Sequence, residues 1–369
     1  MESAEPKHYR AEVLIAPTWE CNLGCTYCFV RENEISNDAM YMSTEVASRI
    51  VDALDEGLED VRIITIHLYG GEPFINLPAS KAMVERALRK KPGRFTFSVT
   101  TNGTVLTDET LDVLEQGKFY IILSIDGPAE IHDECRKKRD GSPTHANVIR
   151  FLETVRSRTS CIVCGSSVVR SGWGLREATD YLRTLPIHSI KAQAVRVPEG
   201  TRYSLSPEER AAYMEDLEYI GRCVIEELET EKVPIDKRFA SRVLQLLKGV
   251  ERQSYCGAGT TTFGVTPGGN VLPCLLLGEK EGKIILGHVN DDPKTWREAG
   301  RAWKAKPLRP KCKSCSYLYL CGGGCPAMIS VCAQDECELV HKNCEVSLSI
   351  YKHFKDDKPE ALLGLAGIT

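Results

Sequence analysis

The 369-residue sequence predicts an α/β protein, a partial (β/α)6 barrel followed by a small cysteine-rich domain, from three observations. Apolar, β-branched runs alternate with helix-period segments from residue 12 to about residue 195. Distinctive short motifs fall just after the ends of several of those runs. Nine of the sixteen cysteines lie from Cys256 onward, at spacings that suit metal sites.

The first strand is expected over residues 12–16, directly before a cysteine loop at 20–30. A helix follows over 43–56, with Ser43 as N-cap and Val46, Ile50, Val51 and Leu54 on one face. The β-branched run 61–68 reads as a strand and ends in Tyr69-Gly70-Gly71-Glu72-Pro73. The order then repeats: helix near 80–89, strand 95–100, helix 108–116, strand 120–125, helix 146–155, strand 161–169, helix 175–185 and strand 189–195. Such alternation specifies a parallel sheet with right-handed crossovers, either doubly wound or a partial barrel. Barrels gather their chemistry at the C-terminal ends of strands. The cysteine loop, Gly70-Gly71-Glu72-Pro73, Thr101-Asn102-Gly103 and Ser124-Ile125-Asp126-Gly127-Pro128 all fall there, which favours the barrel.

Beyond the barrel, Ser206-Pro207-Glu208-Glu209 is a capping box with proline at the first helical position. It opens a helix with Tyr213, Leu217, Ile220, Val224 and Leu228 on one stripe, and a second helix over 237–248 stops at Gly249. The expected organisation is a tail (1–10), the barrel (11–200), bridging helices (201–252), a cysteine-rich domain (253–345) and a C-terminal tail (346–369).

A formal net charge of -4 with scattered charges offers no basic stripe for a nucleic acid. No apolar run approaches the ~20 residues of a membrane span, and the first residues lack a signal-peptide core. The chain therefore reads as cytoplasmic, with no membrane partner. In a reducing compartment, clustered cysteines are better explained by metal binding than by disulfides.

Cys21, Cys25 and Cys28 form a C-x3-C-x2-C pattern, and the next cysteine is Cys135. Thiolates suit zinc and iron–sulfur centres, and a closed zinc site takes four protein ligands. Three thiolates without a fourth leave one metal position open for a substrate or cofactor; a zinc knuckle or a set of buried thiols is the competing reading. With Tyr27 and Phe29 around its last cysteine, the pattern resembles the radical S-adenosylmethionine (radical SAM) superfamily. The resemblance implies a four-iron four-sulfur cluster on Cys21, Cys25 and Cys28 whose fourth iron binds S-adenosylmethionine. The reduced cluster would cleave that cofactor to methionine and a 5'-deoxyadenosyl radical that abstracts hydrogen from an unactivated carbon. Gly70, Gly71 and Glu72 match the motif that receives the cofactor's amino group. Asn102 and Ser124 match positions that contact its ribose and methionyl part, and Arg136 matches an arginine that pairs with its carboxylate, a task suited to a guanidinium fork. His67 and Tyr69 share a strand face, where a histidine is more often a satisfied interior residue. Cys161 and Cys164 point to opposite strand faces and read as core thiols.

In the C-terminal region, Thr262-Phe263-Gly264-Val265 and Val271-Leu272 flank Pro267-Gly268-Gly269-Asn270 as a hairpin. Cys256, Cys274, Cys312, Cys315, Cys321, Cys325 and Cys344 resemble, cysteine for cysteine, the SPASM domain that follows the barrel in one branch of radical SAM enzymes. A zinc ribbon is the alternative, since C-x2-C pairs also suit zinc. The resemblance implies one auxiliary cluster on Cys312, Cys315, Cys321 and Cys344 and another on Cys256, Cys274 and Cys325, hence three 4Fe-4S clusters in all. Thr262 stands where sulfatase-maturing relatives carry a further cysteine, so the second auxiliary cluster is expected to keep an open iron unless Cys332, Cys337 or an exogenous ligand fills it. Leu275 stands where that branch has an aspartate.

Enzymes with this domain pair mostly modify ribosomally made peptides or proteins. The resemblance thus implies a peptide maturase forming a thioether or related cross-link, served by a flavodoxin- or ferredoxin-type electron donor. With twenty residues before Cys21, leader recognition is expected from a separate leader-binding protein, the barrel surface or the SPASM domain. The alternatives are oxidation of a protein cysteine or serine to formylglycine, and a non-catalytic electron carrier or zinc-binding module.

Overall fold

The computed structural model describes residues 8–28, 30, 39–198, 200–252, 254–277, 284–304, 310–327 and 336–366. In chain order its first elements are β1 (His8–Ile15), α1 (Thr44–Gly57), β2 (Val61–Leu68), α2 (Leu77–Leu88), β3 (Phe95–Thr101), α3 (Asp108–Gly117), β4 (Tyr120–Ser124), α4 (Ala129–Cys135) and α5 (His145–Arg158). They are followed by β5 (Ile162–Val169), α6 (Leu175–Arg183), β6 (Ser189–Ala194), α7 (Pro207–Glu229) and α8 (Ala240–Leu247). The last are β7 (Thr262–Val265), β8 (Asn270–Leu272), β9 (Gly287–His288), α9 (Pro293–Lys304), α10 (Leu318–Cys321) and α11 (Glu336–Phe354). Two compact units divide the chain: Met1–Ser124 with Asp133–Val163 and Gly257–Pro307, and Ile125–His132 with Cys164–Cys256 and Leu308–Thr369.

In the first unit the parallel strands run β4-β3-β2-β1. Each strand joins the same side as the one before it. That is how a barrel wall grows, whereas a doubly wound sheet reverses its order. The alternation of β1 explains its placement, since Ala11, Val13 and Ile15 are fully buried while Glu12 between them is exposed. Ser43 caps α1 by accepting from Val46 N at 3.2 Å, and Ile50, Val51 and Leu54 point inward as the sequence predicts. On its free edge β1 pairs in parallel with β7, matching Glu12 to Thr262 and Ile15 to Val265. The predicted hairpin follows: β7 and β8 are antiparallel, Gly269 at φ +92° closes the turn, and β9 pairs with β8. The α9 helix, not anticipated from the sequence, buries Trp296 against Phe263.

The second unit holds the parallel pair β5–β6 in register from Cys164↔Ser189 to Val169↔Ala194. The α7 helix opens with the predicted capping box and buries the predicted stripe of Tyr213, Leu217, Ile220, Val224 and Leu228. Gly249, at φ +63°, follows α8 as expected. The segment expected as a tail from residue 346 is instead the second half of α11. Val346, Ile350 and Phe354 recur every fourth residue, and all three are buried, as are Leu362 and Leu365 beyond them. The fold is thus the predicted one, a partial (β/α)6 barrel with a cysteine-rich C-terminal region. Among the described residues no helix is long and apolar enough to cross a membrane.

Candidate active site

The cysteine loop leaves β1 through a turn pinned by Thr18, whose hydroxyl donates to Met40 O at 2.8 Å and accepts from Glu20 N at 3.0 Å. Cys21 Sγ accepts from Leu23 N at 3.5 Å and from Asn102 Nδ2 at 3.7 Å, and Cys28 N donates to Cys25 O at 3.3 Å. On its far side the loop pairs with a distant segment: Gly24 N donates to Lys137 O at 2.8 Å and Thr26 N to Cys135 O at 3.1 Å. This pairing brings Arg136 in, with its guanidinium 5.4 Å from the ring centre of Tyr27, a cation–π distance.

The loop after β2 lies against the cysteine loop. Tyr69 N donates to Ile15 O, Gly71 N to Thr18 O and Glu72 N to Glu20 O, all within 3.0 Å. The approach is close enough to require both glycines. Gly70 sits at φ +114°, and a Cβ on Gly71 would fall 2.1 Å from Glu20 O.

Glu72 turns its side chain inward, where it is 1% exposed. Its Oε1 accepts from Thr101 Oγ1 at 2.8 Å and from Phe74 N at 3.3 Å, and its Oε2 accepts from Asn102 N at 2.8 Å. Burial raises its pKa from 4.5 to about 7 against the opposing pull of these three donors. The carboxyl group therefore ties the end of β3 to the glycine loop. Asn102 in turn donates to Asn22 Oδ1 at 3.0 Å, and its own Oδ1 accepts from Thr104. Ser124 is the buried last residue of β4.

Cys21, Cys25, Cys28, Gly70 and Gly71 line one pocket with Trp19, Leu23, Val30 and Arg139. Burial pushes the Cys21 thiol above its usual range, with Glu72 and Cys28 adding to the rise. Among the described residues no three His, Cys, Asp or Glu side chains converge as they would on a single metal ion. Three thiols opening into a pocket beside bare glycine backbone fit a group larger than a single ion. Arg139, paired with Glu20 at 2.6 Å, is a pocket residue that sequence reasoning missed. It lies in the charged run 136–139, and no local signal sets it apart from its neighbours. Beside the pocket, Leu275 packs with Ala16, Trp19 and Leu272, and with Val30 and Tyr69, into an apolar cluster.

In the second unit Cys312 and Cys344 are buried, and Cys315 and Cys321 are half-buried. Cys315 N donates to Cys312 O at 3.2 Å, and Cys315 Sγ lies 3.3 Å from Nε2 of His341, a contact no sequence motif announces. Gly322, Gly323 and Gly324 all have positive φ, and a Cβ on Gly322 would fall 2.2 Å from the carbonyl carbon of Ser254. Cys312 Sγ lies 3.8 Å from Gly323 O, and Cys321 and Cys344 lie close enough to interact, a thiol-rich set whose chemistry suits a cluster. Cys256 and Cys325 also belong to the second unit, and Cys274 to the first. Cys337 lies on α11; Cys332 and Phe29 lie outside the described residues.

Several residues set aside in the sequence have structural partners. His67 bonds Glu12 through Nδ1 and Thr100 through Nε2, each at 2.9 Å, and meets Tyr69 edge-on. Cys161 and Cys164 are buried, with Cys161 donating to Leu114 O.

Residues 15–185 match the Radical SAM superfamily. The chain is 24% identical to the serine-type anaerobic sulfatase-maturating enzyme of Bacteroides thetaiotaomicron over 83% of this chain and 80% of that protein. It is 24% identical to the antilisterial bacteriocin subtilosin biosynthesis protein AlbA of Bacillus subtilis, over 83% of this chain and 65% of that one. The solved structure of native anSMEcpe with bound AdoMet and Cp18Cys peptide covers 97% of this chain and 99% of its own, with a TM-score of 0.75 at 23% identity, a likeness of fold.

Proposed function

With residues 15–185 forming a Radical SAM domain, the chain is an S-adenosylmethionine-dependent enzyme, and we propose that it is a maturase of ribosomally made peptides or proteins that forms a thioether or related cross-link. The observation that carries this reading is the pocket in which three thiols face bare glycine backbone, with Trp19, Leu23 and Val30 as its apolar lining and Leu275 packed in one cluster with Trp19 and Val30. An apolar wall suits hydrogen removal from an aliphatic carbon better than an oxidation that needs a base at that position.

In this proposal Cys21, Cys25 and Cys28 hold the 4Fe-4S cluster, which supplies electron transfer to S-adenosylmethionine and hence the 5'-deoxyadenosyl radical. The glycine loop leaves backbone polar groups accessible at Gly70 and Gly71. Asn102 fixes Cys21 through its sulfur hydrogen bond. Arg136, steadied by Tyr27, offers a guanidinium for the cofactor's carboxylate, and Ser124 its methionyl part. Glu72 acts in this scheme as the brace between the two loops. Trp19, Leu23 and Val30, the apolar lining of the pocket, keep water from the reacting carbon.

Auxiliary clusters on Cys312, Cys315, Cys321 and Cys344, and on Cys256, Cys274 and Cys325, belong to the same proposal, as do a flavodoxin- or ferredoxin-type donor and a separate leader-binding protein. Formylglycine formation is the second reading, favoured by the sulfatase-maturating relative.

The test is anaerobic incubation of the reconstituted chain with S-adenosylmethionine, reductant and cysteine-containing peptides. Deoxyadenosine release, lost in Cys21→Ala/Cys25→Ala/Cys28→Ala, is expected. A peptide that loses a hydrogen pair and its alkylatable cysteine supports the cross-link. A hydrazide-reactive carbonyl in the product selects formylglycine formation instead.

A further inference from the structure

Two arginines of the second unit are not accounted for by the roles assigned so far. Arg242, on α8, donates to Asn343 Oδ1 at 2.7 Å, and its guanidinium lies beside the sulfur of the next residue, Cys344. Its Nε is buried with no oxygen acceptor. Arg252, just beyond α8, donates to Gln245 Oε1 at 2.7 Å, Ser241 Oγ at 2.9 Å and Tyr255 O at 3.3 Å. Its backbone N and the Gln245 side chain both donate to Tyr319 O, which fixes Arg252 to the helix that ends in Cys321.

Burial pushes the Arg252 guanidinium down, and the nearby charge of Arg242 adds to that. Among the described residues neither makes an ion pair with a carboxylate. The groups of opposite sign that they face are the sulfurs of Cys344 and Cys321, with Tyr255 beside Arg252. Two half-buried guanidiniums held near each other are better offset by a neighbouring anion than by four neutral thiols. An iron–sulfur cluster held by four thiolates carries net negative charge and is such an anion.

We propose that Arg242 and Arg252 set the reduction potential of the auxiliary cluster on Cys312, Cys315, Cys321 and Cys344, raising it so that this cluster accepts electrons. The inference rests on the assignment of that cluster. Reduction adds one negative charge to the cluster, and neighbouring cations stabilise the more negative state more strongly. Cluster potentials follow local charge, hydrogen bonds to sulfur and exposure; Arg242 acts on the first two of these and Arg252 on the first. Both are positioning residues: they act through the cluster's sulfurs rather than on substrate.

The test uses the full-length Cys21→Ala/Cys25→Ala/Cys28→Ala chain, reconstituted anaerobically, so that any iron–sulfur signal comes from auxiliary clusters. Iron and sulfide are counted first, and then a dye-mediated potentiometric titration is followed by electron paramagnetic resonance. The wave that disappears in Cys344→Ala is the one at issue. That wave is expected to move to more negative potential in Arg242→Gln and in Arg252→Gln, further in the double variant, and to stay near its original position in Arg242→Lys. Arg252→Gln touches no sulfur directly, and it decides the matter if Arg242→Gln loses iron. Full iron loading with an unmoved wave overturns the inference while leaving the cluster assignment intact. Absence of any wave that depends on Cys344 overturns the assignment itself, and the inference with it.

Discussion

Glu72 shows how a residue recognised for one role carries another. Its carboxyl group is fully buried and spends its acceptors on Thr101, Asn102 and Phe74, so it braces two loops from below. With its pKa raised to about 7, the folded chain keeps a proton that the unfolded chain releases above about 4.5. This stabilisation is therefore complete below about 4.5 and is lost as pH rises through about 7. The full swing is on the order of 3 kcal/mol. Urea unfolding of the apo chain and of Glu72→Gln should show the wild type losing stability relative to the variant across that window. A pH-independent difference would mean that Glu72 is ionised throughout. Gly71 makes a second prediction at this scale, because a Cβ there would overlap the Glu20 carbonyl. Gly71→Ala should cost about 1–3 kcal/mol through displacement of one loop. Its more telling effect would be loss of iron from Cys21, Cys25 and Cys28, read by anaerobic iron analysis; full iron retention would show that the loop tolerates the shift.

The helix caps test the argument at the scale of elements. Ser206 Oγ accepts from Glu209 N at 3.2 Å and Glu209 Oε2 accepts from Ser206 N at 2.8 Å, the reciprocal pair that the motif predicts. Glu209 Oε1 also accepts from Ser171 Oγ and Gly172 N, both at 2.9 Å, and so anchors α7 to the turn after β5. Ser206→Ala should cost about 1 kcal/mol. Glu209→Ala should cost about twice that, since it strands three donors. Urea midpoints of the two variants give the comparison, and equal losses would show that the anchor adds nothing. The cap was legible because its partners are three residues apart. The β–α alternation was legible for the same reason: a strand's period and a helix's stripe are local. The pairing of Gly24 with Lys137, which delivers Arg136 to the cysteine loop, is not local, and no pattern in either segment encodes it. The α11 helix was missed because its region was read for cysteine spacing, although Val346, Ile350 and Phe354 carry a helical stripe.

Across the whole molecule the cysteines sort by whether packing alone explains them. Cys135, Cys161 and Cys164 are buried, and burial raises the Cys161 thiol, as for an inert core residue. Cys21, Cys25 and Cys28 instead open into a pocket, Cys312 and Cys321 lie near a run of left-handed glycines, and the guanidiniums of Arg242 and Arg252, without a carboxylate partner among the described residues, lie near Cys321 and Cys344. Spacing in the sequence separated these classes, but it could not reveal the arginines that answer the charge of the second. If the sorting is right, the reconstituted chain binds about twelve irons, at four per cluster. Cys21→Ala/Cys25→Ala/Cys28→Ala should fall to about eight, and Cys321→Ala/Cys344→Ala should lose a separate set of about four. Cys161→Ser/Cys164→Ser should keep all of them and lose only stability, because those thiols fill core space. Zinc in place of iron on the second unit would reduce the metal chemistry to the barrel. Iron lost on changing Cys161 and Cys164 would instead mean that burial is a poor guide to which cysteines of this chain hold metal.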